Sequence, residues 1–275
     1  MHTKRKYGLG MFSILVSIVV FLVPFSFIIL TSMKGRQEAS LLEFTWPSSF
    51  HFWDNLVEAV SASNFMLATA FVNSTIISVA SVAILVILSA MVAFVAQRRI
   101  TRWTSLINVI VLSGLIIPPA IIPTIWVLQG LGLFKTLPGM ILIDVASQMS
   151  FCVLLFRAFI SSIPRELDEA ALIDGAGSLR LFFQVIFPLL RPVIVTVIVV
   201  MSVAIFNDFT GPLYFLPGAE NATVQLTLFN FKSQFDTAWN LLFMDIFLIT
   251  IPPFILFIFF NRQIIAGMST GAVKG

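Results

Sequence analysis

Runs of about twenty apolar residues recur along the whole chain, and this is the feature that most limits what it can become. A helix needs about 20 such residues to cross the hydrocarbon core of a bilayer. Six runs qualify: 11–30, 67–96, 106–128, 139–160, 185–206 and 241–260. In lipid every backbone polar group must be satisfied internally, so runs of this length become helices. Composition decides between lipid and a buried soluble core. Only 11% of the 275 residues are charged and 59% are hydrophobic. Soluble domains carry roughly 25% charged residues, so a large share of the apolar surface must face lipid. The chain reads as an all-α polytopic membrane protein with six transmembrane helices.

Orientation follows from the basic residues. With the N-terminus inside, one side carries Lys4, Arg5, Lys6, Arg98, Arg99, Arg102, Arg157, Arg165, Arg180, Arg191, Arg262 and Lys274, which is 12 of 16. The other side holds Lys34, Arg36, Lys135 and Lys232. Basic residues concentrate in cytoplasmic loops, so both termini are expected in the cytoplasm. The first run is longer than the apolar core of a secretory signal and lacks a small-residue cleavage site after it, so it reads as a retained anchor. The expected organisation is residues 1–66 as N-terminal tail, first helix and outer loop, 67–262 as a core of five helices, and 263–275 as a cytoplasmic tail.

Several chemistries are excluded. The single cysteine, Cys152, cannot form an internal disulfide. His2 and His51 stand far apart, and no His/Cys/Asp/Glu cluster has metal-ligand spacing. The basic residues form no patch interleaved with aromatics, so no nucleic acid is expected as a partner. No G-x-x-x-x-G-K-[ST] phosphate loop is present. No span pairs His with Ser, or two Asp residues, so an intramembrane hydrolase is not expected.

The inner connection 161–184 carries four of the 13 acidic residues: Glu166, Asp168, Glu169 and Asp174. Pro164 suits a first helical turn, where its missing N–H costs nothing. The acidic residues then complement the positive end of the helix dipole, although Asp168 could equally cap a turn beginning at Glu169. Gly175 stands where a left-handed C-terminal cap is expected. The segment 161–185 therefore reads as a short helix outside the membrane, with one charged and one apolar flank. It either docks on a partner or lies on its own bundle.

The run from Glu169 to Pro192 resembles the EAA loop of ABC importer permeases. Glu169, Ala170, Ala171, Asp174, Gly175, Ala176, Pro188 and Pro192 stand at the matching positions. The resemblance is closest to carbohydrate permeases of the maltose permease class. It extends through Thr31-Ser32-Met33-Lys34, Asn73-Ser74, Pro118, Pro119 and Pro123, Phe206-Asn207-Asp208-Phe209, and the tail 267–275, which is similar to the ending of the smaller of two paired sugar permeases. Met244-Asp245 departs from the usual Met-Ala, and Asn261-Arg262-Gln263 from the usual basic link.

The resemblance implies a type I ABC importer permease fold and no direct cofactor. It implies a second homologous permease, two ATP-binding subunits that hold ATP and magnesium, and an extracellular or periplasmic sugar-binding protein, all at a prokaryotic inner membrane. Glu169 would anchor the loop to the ATP-binding subunit, and Gly175 would set its turn. Gly271 and Lys274 in the tail would also touch that subunit. Polar residues in or near spans are pathway candidates, namely Asn207, Asp208, Gln148 and Ser202; the same residues could simply cap or snorkel. Pro118, Pro119 and Pro123 mark a kink that is either a packing feature or a gate hinge. A permease for glycerol phosphate or a polyol, or a secondary carrier, are the alternative functions.

Overall fold

The computed structural model describes residues 11–98, 102–232 and 237–272. It is helical, with no strand among the described residues. The principal helices are α1 (Met11–Ser32), α2 (Arg36–Ser40), α3 (Phe52–Arg98), α4 (Arg102–Ile116), α5 (Ile121–Gly130), α6 (Leu137–Ile160), α7 (Glu166–Ile173), α8 (Ser178–Leu189), α9 (Arg191–Phe206), α10 (Thr210–Phe215) and α11 (Trp239–Ala272). Each of the six apolar runs coincides with a helix or a helix pair. Four segments are long and apolar enough alone: α1, α3, α6 and the part Trp239–Asn261 of α11.

The other two runs are interrupted, and proline explains both. The third run was expected to be one helix over 106–128. It is instead two short apolar helices, α4 and α5, separated at Ile117–Ala120. Each proline pushes the residue before it out of the α region, so Pro118 and Pro119 together release two consecutive positions from the helix. Pro123 does not contribute to this break. It lies in the first turn of α5, where a missing N–H has no intrahelical partner to lose. The fifth run bends by 75° between α8 and α9. An N–H at Pro192 would have bonded the carbonyl of Pro188, four residues earlier; proline supplies none and its ring crowds that carbonyl. Ahead of the bend, Leu181–Ile186 winds as a π-helix.

α3 likewise contains a joint. Ala62, Ser63, Asn64 and Phe65 leave helical geometry, the last three at positive φ. The part of α3 after this joint corresponds to the second apolar run.

The chain forms two units. One comprises the described residues up to Ala70 together with Val224–Ile251. Its interior is partly polar. Lys34 is fully buried, and its Nζ donates to the Glu43 carbonyl at 2.8 Å and to Thr45 Oγ1 at 2.9 Å. Asn55 Nδ2 donates to the carbonyls of Ser32 and Lys34, and Asn55 Oδ1 accepts from Asn240 Nδ2 at 2.7 Å. Thr227 Oγ1 donates to the buried Asp245 at 2.8 Å. The matched Thr-Ser-Met-Lys stretch is thus part of an interior clamp, and the aberrant Asp245 has a local partner.

The second unit comprises Phe71–Thr223 and the described residues from Pro252. Its core gathers Leu85, Phe94, Cys152, Val153, Phe156, Ile160, Ile186, Leu190 and Val197 from α3, α6, α8, α9 and the link between the last two. Asn73 Nδ2, near the start of this part of α3, donates to the carbonyls of Glu220 and Ala222 at 3.1 and 3.0 Å. The 161–190 loop belongs to the same unit.

Candidate functional site

The loop helix α7 begins at Glu166, two residues after Pro164, with Arg165 before it. Pro164 therefore precedes the helix rather than opening its first turn. Glu166, Asp168 and Glu169 fill that turn, where the helix dipole favours negative charge. The C-terminus closes as the sequence suggests. Gly175 takes φ of +80°, its N–H donates to the Leu172 carbonyl at 3.1 Å, and Ala176 N donates to the Ala171 carbonyl at 2.9 Å. Those two bonds are the Schellman pattern, and Ala176 packs on the core that holds Ala171, its usual apolar companion contact.

A helix turns about 100° per residue, which divides α7 into two faces. Ala171 is the buried residue of the helix, and Asp168 lies one turn earlier on the same side. Glu166, Glu169, Ala170 and Ile173 lie on the opposite side and are exposed. Ile173 is 86% exposed and Leu172, at the margin, 55%. The outer face therefore combines two carboxylates, a small residue that permits close approach, and uncovered branched aliphatics. Asp174 caps the end and is exposed; Pro188 lies just before the 75° bend.

The inner face is tied down. Asp168 does not cap a second turn. Its Oδ2 forms an ion pair with Arg98 Nε at 2.9 Å, both side chains being largely buried. Arg98 Nη2 also donates to the Ile163 carbonyl at 2.9 Å. Sequence reasoning had placed Arg98 only among the residues that set orientation. A basic residue ending one span and an acid in the next loop were visible, but nothing local fixes that they meet.

The pathway candidates do not form one polar cluster. Asp208 accepts the N–H groups of Thr210 and Gly211 at 3.1 and 3.2 Å, capping α10. Asn207 is exposed where α9 ends. Gln148 is half-buried on α6. Ser202 borders an apolar cleft with Val79, Val82, Ala83, Val86, Ile87 and Ile198. Asp144, also on α6, is buried with Ser81 Oγ at 3.5 Å. Pro118 and Pro119 are exposed beside their break. Gly271 lies within α11, and Lys274 lies outside the described residues.

The family described as binding-protein-dependent transport system inner membrane component matches residues 86–269, a stretch that contains α7, its cap and the 75° bend. The chain belongs to that family. It is therefore a transport permease, and permeases of this family are not enzymes. Among relatives, the melibiose/raffinose/stachyose import permease protein MelC of Bacillus subtilis is 31% identical, over all of both chains. The diacetylchitobiose uptake system permease protein NgcG of Streptomyces coelicolor is 31% identical over 93% of this permease and 85% of its own length. A solved bacterial ABC transporter that imports the acidic polysaccharide alginate contains a chain of the same fold. Its TM-score is 0.81 at 20% identity, covering 95% of this chain and 98% of that one.

Proposed function

We propose that this permease is one of two membrane subunits of an ATP-driven oligosaccharide importer, and that α7 is where force from ATP-binding subunits enters it. The observation that carries this reading is the two-faced loop helix. A helix of eight residues is too short to persist alone in water, yet α7 is capped and held by its own protein along one side while Ile173 stays uncovered on the other and Leu172 at the margin. Burying each by a partner would contribute about 1.5–3 kcal/mol. Glu169 on the same face supplies a carboxylate for a charge-assisted contact. The sugar assignment is supported by the relatives, several of which are named for sugar uptake.

In this reading the 161–190 loop and both termini are cytoplasmic, in a prokaryotic inner membrane. A periplasmic or extracellular binding protein delivers the sugar to the outer side. The second permease completes the pathway, to which Asn207, Asp208, Gln148 and Ser202 contribute. The ATP-binding subunits hold ATP and magnesium; this chain binds neither. Their closure is favoured because ATP binds the closed dimer better, and a ligand shifts only states it distinguishes. The break at Pro118-Pro119 is the hinge of the gate, and the tail with Gly271 and Lys274 adds a second contact to the ATP-binding subunits. Residues 1–66 form an anchoring part, 67–262 the transport core and 263–275 the tail.

The test is assembly. Glu169→Lys and Ile173→Asp in the complete transporter should leave insertion of this chain intact and reduce co-purification of the ATP-binding subunit by about tenfold, the effect of about 1.4 kcal/mol. Uptake of labelled raffinose-type sugars should fall with it. Undiminished co-purification of both variants would remove the docking face from consideration.

A further inference from the structure

The ion pair on the inner side of α7 helps to hold the helix in place, and its geometry gives it a further task. Ala171 is the buried residue of α7, and Leu167 beside it on the inner side is more than half covered, so apolar packing supplies part of the grip. Polar contacts add to it. Arg98, at the end of α3, meets Asp168 at 2.9 Å and the Ile163 carbonyl at 2.9 Å, while Arg165 Nη2 reaches back to the Gln97 carbonyl at 3.5 Å. The Arg98 and Asp168 side chains are only 7% and 13% exposed. Among the described residues neither Arg98 Nε nor Asp168 Oδ1 has a hydrogen-bond partner, so guanidinium and carboxylate are held together by charge at 2.9 Å and not by an aligned hydrogen bond. A sheltered pair of this kind is screened little by salt.

We infer that Arg98 and Asp168 form a strut that transmits displacement of α7 to α3. They are positioning residues for transport and touch neither solute nor nucleotide. A second, apolar contact runs beside it: Phe94 of α3 lies 5.5 Å from Phe182 of α8. The Arg98 guanidinium is attracted to a carboxylate on one side and donates to a carbonyl on the other, which limits how far it can swing. The strut therefore fixes how far α3 follows when α7 moves. This inference rests on the reading of α7 as the docking element.

The experiment uses the complete transporter with Asp168→Ala, Asp168→Asn, Arg98→Lys and the double variant Arg98→Ala/Asp168→Ala. Three quantities are read: the amount of assembled complex, ATP turnover per complex, and sugar imported per ATP. The expected result is assembly and ATP turnover within about twofold of the wild type, with sugar per ATP lowered about tenfold or more in Asp168→Ala, because removing one partner strands the other charge. Arg98→Lys should fall between, since an ammonium cannot reproduce the fork. The double variant should be no worse than Asp168→Ala, as two members of one contact are not additive. Sugar per ATP at the wild-type level in Asp168→Ala would overturn the strut. So would loss of assembled complex in step with uptake, which marks a purely structural pair. Glu169→Lys serves as the control: full assembly there refutes the docking reading itself, whatever the strut does.

Discussion

Gly175 is the residue at which backbone geometry and proposed role meet. Its φ of +80° suits glycine, and a Cβ built there would meet nothing within 4 Å. A substitution is therefore penalised by conformation alone and not by collision. Gly175→Val should cost about 1–2 kcal/mol or somewhat more for its branched side chain, loosening the end of α7. Its expected signature is faster proteolysis of the 161–190 loop and weaker co-purification of ATP-binding subunits at an unchanged melting temperature of the bundle. This residue was legible in advance because a cap is a local event: the glycine, its position after a short helical run and the following break all lie within a few residues. Asp168 was not legible. The same local pattern suits a capping carboxylate or an ion pair, and the decision comes from an arginine 70 positions earlier.

Among elements, the pairing of α4 with α6 is the most sharply constrained. A Cβ at Gly114 would collide with Ser150 Oγ, so the two helices touch closely there. Arg157 Nη1 donates to Asn108 Oδ1 at 2.7 Å about two turns along. Close approach through small residues and interhelical polar bonds are what hold helices together in lipid. Gly114→Leu should lower the thermal midpoint of the detergent-solubilised protein by the equivalent of about 1–3 kcal/mol of overpacking. Gly114→Ala should do so less, and Ser150→Ala should partly rescue Gly114→Ala by removing the obstructing oxygen. Additive losses in that pair would show the contact to be unimportant. The existence of helices was readable from apolar length, and a kink at Pro118-Pro119 from proline stereochemistry; that this run divides into two helices, and that the fifth bends by 75°, was not. The contact at Gly114 was not, because a glycine within an apolar run is equally compatible with any neighbour or with lipid.

At the scale of the molecule, transport requires partners. With no phosphate loop in 275 residues, the purified chain should show no ATP turnover; hydrolysis in a preparation proven free of other subunits would refute this. The long-range polar pairs lay furthest from the sequence. Asn55 and Asn240 are 185 positions apart, and only the fold decides that the Asn240 amide donates to the Asn55 carbonyl oxygen. Two of these contacts have a joint effect. Asn73 is held by the carbonyls of Glu220 and Ala222, and Arg98 by Asp168 and Ile163. The helix between them covers about 37 Å at 1.5 Å per residue, more than the roughly 30 Å hydrocarbon thickness. Both ends of one ruler are thus nailed. Inserting a single alanine between them would rotate one nail out of its hole by about 100°. Inserting seven would nearly restore the azimuth yet overshoot in length, so no whole number of extra residues satisfies both ends.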